Sequence, residues 1–499
     1  MFQKVLIANR GEIACRIART LRSMGVRSVA VCSEADRGAL HARVADEARV
    51  IGPAEPRASY LNIEALIRAA KTSGAEAIHP GYGFLAENAA FAAAVEAAGL
   101  VFIGPTPDQV RAMGDKRAAR AIAVEAGVPV VPGAEGRDAA ALVTDAERLG
   151  FPVIVKAALG GGGKGMRIVE DRGALAEALE SATRLAQSAF GDGAIYLEKR
   201  LERARHVEVQ VAGDGHGRAV HLFERECSLQ RRHQKVVEES PSAAVDEPLR
   251  ERLTAAAVAL AGSVRYRGLG TVEFLLAPDG GFYFLEMNTR LQVEHPVTEG
   301  VTGLDLVGWQ LEIAAAGRLP SVPGRITRRG HAIEARVYAE DAARNFLPQA
   351  GRAVRVRWPE GPEMRVDTGI ASGDDVPVHY DPILAKVIAV GPTRAEALER
   401  LARALDESVV HGLVTNLPFL RALVRAPAVQ RGEVDTEWIE REFLAGFAAV
   451  ATAPAPELAL AAVAIGELLG VPKPPAPRAG ARRPSVFATL GRWRHPGLA

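Results

Sequence analysis

The sequence is poor in cysteine. Cys15, Cys32 and Cys227 are widely spaced over 499 residues and odd in number. This spacing excludes a disulfide framework and a cysteine metal cluster, and it predicts a reducing, cytoplasmic compartment.

A net charge is also missing. The 61 basic residues balance 60 acidic ones, so no overall field favours a nucleic acid or an anionic membrane. No uncharged apolar run reaches the ~20 residues of a membrane helix. The opening "MFQKVLIANRG" is strand-like from its start, which predicts no signal peptide. We therefore expect a soluble protein.

Lysine is scarce as well: nine of the 61 basic residues are lysines, and five of the nine lie within about a quarter of the chain, namely Lys116, Lys156, Lys164, Lys199 and Lys235. Lysine is a compact charge on a slim stem, whereas arginine is a broad planar fork. Retained lysines suggest narrow anion-binding sites in this region.

Two nucleotide motifs are absent. The turn after the first strand lacks G-x-G-x-x-G, which argues against a nicotinamide cofactor. The run "GGGGKG" (160–165) has neither the spacing nor the Ser/Thr of a Walker A loop. Four successive glycines are entropically costly, so they indicate close phosphate contact or a moving lid, with a plain flexible loop as the alternative. "Glu198-Lys199" is similar to an adenine-reading hinge, although a surface ion pair would look the same.

Strand and helix signals alternate over residues 1–110, as in "KVLIAN", "GEIACRIARTLRSMG" and "VRSVAVCS". This alternation predicts an open parallel α/β sheet. A small α+β subdomain is expected at about 130–203, followed by antiparallel strands with a hairpin at "LAPDGGFYF". Residues 331–446 read as further α/β, and the Ala/Pro-rich end reads as a linker.

The stretch "EMNTRLQVEH" places Glu286, Asn288, Arg290, Gln292 and Glu294 two residues apart. In an extended chain these side chains share one face. A guanidinium suits a planar oxyanion, but a carboxylate beside that anion is repulsive unless it removes a proton from it. Bicarbonate is a planar oxyanion that must lose a proton to become a nucleophile. A salt-bridged surface row is the alternative.

Glu273 and Glu286 lie on opposite sides of the predicted hairpin turn. Two unpaired acids in a sheet are costly without a cation, and Mg²⁺ prefers such oxygen ligands. Asn288 could add an oxygen, and Lys235 in "HQKVVEE" could complete an anion pocket beside the metal.

Five motifs together, "EMNTRLQVEHPVTE", "RRHQKVVEE", "KAALGGGGKGMR", "HPGYGFLAEN" and "ANRGEIACRI", resemble the biotin carboxylases of the ATP-grasp superfamily over residues 1 to about 447. The resemblance implies an ATP-grasp fold of mixed α/β and α+β class. Its expected parts are an N-terminal Rossmann-like parallel-sheet domain (1–114), an ATP-grasp domain (115–330) with a mobile lid, a C-terminal mixed or antiparallel domain (331–447) and a tail (448–499).

The resemblance also implies the reaction. ATP phosphorylates bicarbonate to carboxyphosphate, which delivers CO₂ to N1′ of biotin. The residues implied to bind ATP are Lys116, Lys156, Gly161, Gly162, Gly163, Glu198, Lys199, Leu201, His206, Gln230 and His233. Those implied to hold Mg²⁺ or Mn²⁺ are Glu273, Glu286 and Asn288. Bicarbonate would contact Lys235, Arg290, Gln292 and Val293 with Glu294 as its base, and biotin would contact Arg336 and Tyr82.

No methionine adjoins a lysine, and Lys473 lies in "VPKPPAPR", so biotin is expected on a carrier domain elsewhere. The implied partners are that carrier, a carboxyltransferase subunit and a second copy of the chain. A stand-alone acetyl-CoA carboxylase subunit of fatty acid biosynthesis and the front half of a longer acyl-CoA carboxylase α-subunit both fit, and the tail favours the second. Rival hypotheses are a carbamoyl phosphate synthetase-type ligase and a non-catalytic nucleotide-binding module.

Overall fold

The computed structural model describes residues 1–136, 138–157, 167–190, 195–321 and 325–451. The predicted phosphate-covering residues Gly161, Gly162 and Gly163 lie outside the described residues, as does the tail from residue 452.

The N-terminal part is a five-stranded parallel sheet, which confirms the predicted α/β alternation. The strand order is β3-β2-β1-β4-β5, and every neighbouring pair is parallel. Its elements are β1 (Lys4–Ile7), α1 (Gly11–Ser23), β2 (Arg27–Ser33), α2 (Leu40–Val44), β3 (Glu47–Gly52), α3 (Ile63–Ser73), β4 (Ala77–His79), α4 (Ala89–Ala97), β5 (Val101–Phe102) and α5 (Pro107–Gly114).

Two of these helices begin at asparagine caps. The Asn62 side chain accepts a hydrogen bond from the Ala65 N–H (3.0 Å), and Asn88 accepts one from the Phe91 N–H (2.8 Å). Gly74 ends α3 at φ 71°, a left-handed conformation that glycine adopts without a Cβ penalty. Local chemistry therefore sets these helix ends.

A small four-stranded antiparallel sheet with its own core follows, in the order β6-β9-β7-β8. The strands that flank the glycine run, β7 and β8, pair as predicted from "FPVIVKAALGGGGKGMRIV". The elements are α6 (Lys116–Glu125), β6 (Gly133–Gly136), α7 (Ala139–Leu149), β7 (Val153–Ala157), β8 (Arg167–Val169), α8 (Leu175–Phe190) and β9 (Ile195–Lys199).

The largest sheet has eight antiparallel strands in the order β14-β13-β10-β11-β12-β15-β22-β20. The predicted hairpin joins β13 to β14, and the Ala277 N–H donates to the Gly281 carbonyl (2.7 Å). The elements up to residue 316 are β10 (Arg205–Asp214), β11 (Ala219–Arg231), β12 (Gln234–Ser240), α9 (Glu247–Ser263), β13 (Arg267–Leu276), β14 (Phe282–Asn288), α10 (His295–Thr302) and α11 (Leu306–Ala316).

The C-terminal part extends the same sheet, because β12 pairs with β15 (His331–Tyr338). The other elements are β16 (Glu340–Asp341), β17 (Leu347–Pro348), β18 (Gly351–Ala353), β19 (Arg355–Arg357), β20 (Met364–Thr368), β21 (Asp374–Val376), β22 (Ile383–Gly391), α12 (Arg394–Glu407), β23 (Val409–His411), α13 (Leu417–Leu423), α14 (Pro427–Arg431), a π-helix (Ile439–Phe443) and α15 (Leu444–Ala451). Within the described ranges, no helix has the length and apolar character that crossing a membrane requires.

The three cysteines are buried free thiols in different layers. Cys15 lies in α1, Cys32 in β2 and Cys227 in β11. Burial raises the pKa of the Cys15 thiol to about 12, and burial likewise raises the pKa of Cys32 and of Cys227. These thiols are therefore protonated and shielded in the folded chain.

Candidate active site

One open cleft of about 1780 Å³ lies between the eight-stranded sheet, the small antiparallel sheet and the N-terminal part. Every predicted site residue within the described ranges lines this cleft: Tyr82, Lys116, Lys156, Glu198, Lys199, Leu201, His206, Gln230, His233, Lys235, Glu273, Glu286, Asn288, Arg290, Gln292, Val293, Glu294 and Arg336. Residues more than 250 positions apart in sequence thus line one cavity.

The predicted extended row is shorter than expected, because β14 ends at Asn288 and residues 289–294 are not a strand. The Glu87 carboxylate accepts hydrogen bonds from the Thr289 N–H (3.0 Å) and from Arg290 Nε (2.8 Å). Helix α10 then begins one residue after Glu294. A residue distant in sequence therefore binds the chain where the strand ends, and Arg290, Gln292 and Glu294 still line the cleft.

Lys235 is the centre of the site. Its ammonium donates to Glu208 Oε2 (2.6 Å), Glu273 Oε1 (2.8 Å) and Glu294 Oε1 (2.7 Å). Burial alone would lower its pKa, but the surrounding carboxylates outweigh burial and raise the pKa of Lys235 well above its usual value. Lys235 is therefore a permanent cation whose three donors are all engaged.

Glu294 is completely buried between two cations. Its Oε1 accepts from Lys235, and its Oε2 lies 3.0 Å from Arg336 Nη2. Burial favours the protonated form, but Lys235 and Arg336 overcome burial and hold the pKa of Glu294 well below its usual value. The carboxylate is thus ionised, and it stays a weak base for as long as both cations hold it.

Arg336 also contacts Glu238, whose Oε1 lies 2.5 Å from Arg336 Nη2. Burial raises the pKa of Glu238 to about 7, although Arg336 acts in the opposite direction. Arg336 therefore links two buried carboxylates of different ionisation at the C-terminal wall of the cleft. Tyr82 lines the cleft from the N-terminal part, and its carbonyl accepts a hydrogen bond from Asn9 (2.8 Å).

Arg290 is oriented by side chains on both sides of it. Beyond the Glu87 contact, its Nη1 donates to Gln292 Oε1 (2.6 Å) and its Nη2 donates to Asn288 Oδ1 (2.9 Å). Gln292 in turn donates to Glu273 Oε1 (2.8 Å). This chain of hydrogen bonds joins the predicted anion pocket to the predicted metal ligands.

The carboxylates of the predicted metal site lie opposite each other. Glu273 and Glu286 are direct cross-strand partners in β13 and β14. Glu286 is half-exposed to the cleft with Lys116 Nζ 3.6 Å away, while His206 Nε2 lies 2.8 Å from Glu273 Oε2. Burial would raise the pKa of Glu273, but Lys235 and His206 lower it below its usual value. The two glutamates offer carboxylate oxygens, the ligand type that Mg²⁺ or Mn²⁺ prefers. The Asn288 amide lies beside them, with its nitrogen donating to Glu273 (2.8 Å) and its oxygen accepting from Arg290.

The nucleotide end of the cleft contains a second ion pair, in which Lys156 Nζ lies 2.5 Å from Glu198 Oε2. The ammonium of Lys199 donates to the carbonyls of Gly150 and Phe151 (both 2.9 Å). Its charge is therefore engaged by the backbone just before β7, and the prediction that Lys199 binds ATP stays a prediction. Lys156 and Lys116 keep their side chains in the cleft.

The predictions from sequence missed several supporting residues of the site. Arg225 is completely buried and donates to Glu208 Oε1 (2.5 Å) and to Thr298 (3.0 Å). Polar residues alternate in "HVEVQV" and "FERECSLQ", a pattern typical of a solvent-facing strand. Helix α10 packs over β11, β12 and β15 and buries this face. One signal for these buried residues was available in the sequence. Acidic residues recur on three neighbouring strands that carry few lysines, so the buried acids need another cation.

Three family models match consecutive parts of the chain between residues 1 and 441. Residues 1–110 match the family described as "Biotin carboxylase, N-terminal domain", and residues 115–322 match "Carbamoyl-phosphate synthase L chain, ATP binding domain". Residues 334–441 match "Biotin carboxylase C-terminal domain". The central match alone would fit a carbamoyl phosphate synthetase as well as a biotin carboxylase. The two flanking matches are to biotin carboxylase domains and distinguish between these classes.

Individual relatives cover most of the chain. A biotin carboxylase from Halalkalibacterium halodurans is 50% identical over 441 residues, which are 88% of this chain and 97% of the relative. The α-subunit of methylcrotonoyl-CoA carboxylase from Dictyostelium discoideum is 50% identical over 439 residues, or 87% of this chain. The chain spans only 63% of that relative's length.

A solved structure has the same fold. It is the biotin carboxylase domain dimer of Hydrogenobacter thermophilus 2-oxoglutarate carboxylase, in complex with MgADP, ADP and bicarbonate. The TM-score is 0.82 at 40% identity, and the alignment covers 91% of this chain and all of that one.

Proposed function

Because the chain belongs to the biotin carboxylase family, an ATP-dependent ligase family that carboxylates biotin, we propose that the residues around Lys235 form its bicarbonate site and that Glu294 is the catalytic base. The observation that supports this assignment is the position of Glu294, ionised and buried between Lys235 and Arg336. A purely structural ion pair would not need two cations that both line a substrate cleft.

Bicarbonate binding starts with an exchange of partners. All three donors of Lys235 are engaged by carboxylates, so an incoming anion must replace at least one of them. When bicarbonate takes a donor from Glu294, that carboxylate loses stabilisation of its charged form and its pKa rises. Glu294 then becomes basic enough to take the proton from the anion that displaced it. Arg290 and Gln292 hold the remaining oxygens.

The deprotonated bicarbonate oxygen attacks the γ-phosphorus of ATP, and the bond to ADP breaks. Lys116 and Lys156 contact the phosphates from the cleft walls, while the β9 strand at Glu198 and Lys199 contacts the adenine. Glu273 and Glu286, with Asn288, would hold Mg²⁺ or Mn²⁺. A divalent cation bound there supplies positive charge to the phosphate oxygens.

Biotin reacts beside Arg336. Carboxyphosphate separates into CO₂ and phosphate, the phosphate takes the N1′ proton, and N1′ forms the new bond to CO₂. Arg336 stabilises the negative charge on the ureido oxygen during this step. Tyr82 contacts the biotin ring from the opposite wall.

The complete enzyme needs further components. We propose that biotin arrives on a carrier domain, that a carboxyltransferase subunit consumes the carboxybiotin, and that the chain pairs with a second copy. The final acceptor would be an acyl-CoA, in a cytoplasmic acyl-CoA carboxylase such as one of fatty acid biosynthesis. The relatives of about 50% identity include both a biotin carboxylase and methylcrotonoyl-CoA carboxylase α-subunits. We therefore assign the choice of acyl-CoA to the carboxyltransferase subunit.

ATP cleavage by the purified chain tests the proposal. We expect phosphate release that requires bicarbonate and that free biotin stimulates, while ammonia has no effect. Parallel reactions without bicarbonate, and with ammonia in place of biotin, are the controls. Stimulation by ammonia but not by biotin would favour a carbamoyl phosphate synthetase-type reaction and contradict the proposal.

A further inference from the structure

Lys386 is a buried lysine that the mechanism above does not use. Its side chain has no solvent exposure, and it lies on β22 between Arg336 on β15 and Asp367 on β20. Burying an ammonium is costly unless partners compensate for its charge. The position of these partners indicates what Lys386 does.

The ammonium of Lys386 contacts three distant parts of the chain. It donates to the Val293 carbonyl (2.7 Å), and it lies 3.3 Å from Glu12 Oε1 and 3.9 Å from Asp367 Oδ2. Glu12 belongs to α1, Val293 precedes α10, and Asp367 belongs to β20. The shortest of the three contacts is the one to the backbone of the cleft.

The two carboxylates differ in how much they need Lys386. Asp367 already accepts hydrogen bonds from Arg365 (2.6 Å) and from Arg19 (2.8 Å). Glu12 is fully buried, and burial raises its pKa to about 7 even with Lys386 beside it. Glu12 therefore depends on Lys386 more than Asp367 does, while the shortest contact of the ammonium is the hydrogen bond to the Val293 carbonyl.

The Val293 carbonyl belongs to the peptide unit that leads into Glu294. Residues 289–294 have no strand partner that would hold them, and α10 begins directly after Glu294. A charge-assisted hydrogen bond to this carbonyl fixes the orientation of that peptide plane, and the Glu294 side chain departs from the same plane. The same segment carries Gln292, which lines the anion pocket.

We propose that Lys386 is a positioning residue for carboxylation, which holds the Val293 carbonyl so that Glu294 stays between Lys235 and Arg336. The proposal rests on the assignment of Glu294 as the base. A shift of about 1 Å in a reacting group costs on the order of 10²-fold in rate. Lys386 therefore acts on bicarbonate chemistry without touching a substrate.

An experiment must distinguish the effect of Lys386 on the position of Glu294 from its effect on the charge of Glu12. Lys386→Met alone leaves the Glu12 carboxyl buried without its cation, which would destabilise the fold for a trivial reason. Glu12→Gln is neutral and leaves the Lys386 to Val293 bond intact. The informative comparison is therefore between Glu12→Gln and the double variant Lys386→Met/Glu12→Gln.

We expect Glu12→Gln to have a KM for bicarbonate within about twofold of the unsubstituted chain. We expect the double variant to raise that KM at least about tenfold and to slow bicarbonate-dependent ATP cleavage, with the KM for ATP unchanged, because the displaced segment carries the base and not the nucleotide site. Lys4→Met is the matched control. Lys4 is also a buried lysine that donates to a backbone carbonyl, that of Ser73 (2.7 Å), and it lies outside the cleft.

A double variant with an unchanged bicarbonate KM overturns the proposal, and so does a loss that merely tracks the folded fraction measured by circular dichroism. If the methionine variant does not fold, Lys386→Gln in the Glu12→Gln background replaces it, because glutamine retains a neutral donor. This variant must raise the bicarbonate KM above that of Glu12→Gln but by less than about tenfold, and a KM equal to that of Glu12→Gln overturns the proposal. Absence of bicarbonate-dependent cleavage in the unsubstituted chain would contradict the proposed function instead.

Discussion

Around Lys235, one ammonium faces the three buried carboxylates of Glu208, Glu273 and Glu294. Removal of the cation would leave uncompensated negative charge in the protein interior, which is strongly destabilising. Neutralisation of one carboxylate instead reduces the excess of negative charge around Lys235. Glu294 is therefore a better residue than Lys235 for a test of the chemistry, because its substitution leaves the pocket intact.

We predict that Glu294→Gln slows biotin carboxylation by ~10²–10⁴, the range for loss of a general base. The amide keeps the shape of the side chain but cannot take a proton from bicarbonate. The KM for ATP stays within about twofold, since Glu294 does not contact the nucleotide. Steady-state rates of carboxybiotin formation and of ATP cleavage measure both quantities.

Glu224→Gln is the matched control for this prediction. Glu224 is also a completely buried glutamate bound by a cation, with Arg250 donating to both of its oxygens (2.9 Å each). It lies outside the cleft, so its loss acts on stability and leaves the rate per folded molecule unchanged. Full turnover by Glu294→Gln would remove Glu294 from the mechanism.

The sequence allows single residues to be predicted where spacing and chemistry coincide. Arg290, Gln292 and Glu294 recur at two-residue intervals, and all three line the cleft. Glu208 and Arg225 could not be predicted in this way, because their alternation along β10 and β11 looks the same as that of a solvated face. The burial of this face depends on tertiary packing, in which α10 lies over β11, β12 and β15.

At the scale of elements, prediction succeeds where local chemistry decides. Helices α3 and α4 begin at asparagine caps that are visible in the sequence, and the hairpin at Asp279 forms as expected. The end of β14 could not be predicted, since the N–H of Thr289, the next residue, is bound by Glu87, about 200 positions earlier in the sequence. Tertiary contacts override local patterns at the functional loop.

Helix α2 carries a histidine that couples the N-terminal part to pH. His41 Nε2 lies 3.2 Å from the Val31 carbonyl, and the Gly11 N–H donates to His41 Nδ1 (3.4 Å). These two contacts suit the neutral ring. Burial lowers the pKa of His41 to about 4, although Asp36 acts to raise it.

The unfolded chain binds a proton at this histidine below about pH 6.5, but the folded chain does so only below about pH 4. The free energy of unfolding therefore falls as the pH drops between these values. We predict that His41→Gln loses about 2 kcal/mol less stability than the unsubstituted chain between pH 7 and pH 5. Urea denaturation at both pH values measures the difference.

His216→Gln is the control, because His216 is exposed in the turn between β10 and β11. A change in stability that both substitutions share would therefore come from replacing a histidine as such and not from the buried ring of His41. An identical pH dependence in His41→Gln and in the unsubstituted chain would show that His41 is not the neutral group described.

At the scale of the whole molecule, the eight-stranded sheet crosses the boundary predicted at residue 331. Strands β12 and β15 are paired through Val237 and Ala335, and Leu229 shares a buried core with Val387 and Leu401. Residues before and after this position therefore depend on the same core and on the same backbone hydrogen bonds.

We predict that a fragment of residues 1–330 does not fold by itself, because β12 becomes an open edge and its apolar core loses the partners supplied by β15 and α12. A second truncation, 1–451, retains every described cleft residue and keeps bicarbonate-dependent ATP cleavage. Circular dichroism melting and size-exclusion chromatography distinguish the two. Cooperative melting of the 1–330 fragment as a monomer would contradict the shared-core interpretation.

The buried thiols have a practical consequence. Cys15, Cys32 and Cys227 belong to three different layers of the chain and are shielded in the folded state. Each thiol can therefore report the local unfolding of the helix or strand that carries it, without any introduced label. Brief exposure to an alkylating reagent, read by peptide mass spectrometry, would give the order in which the layers come apart.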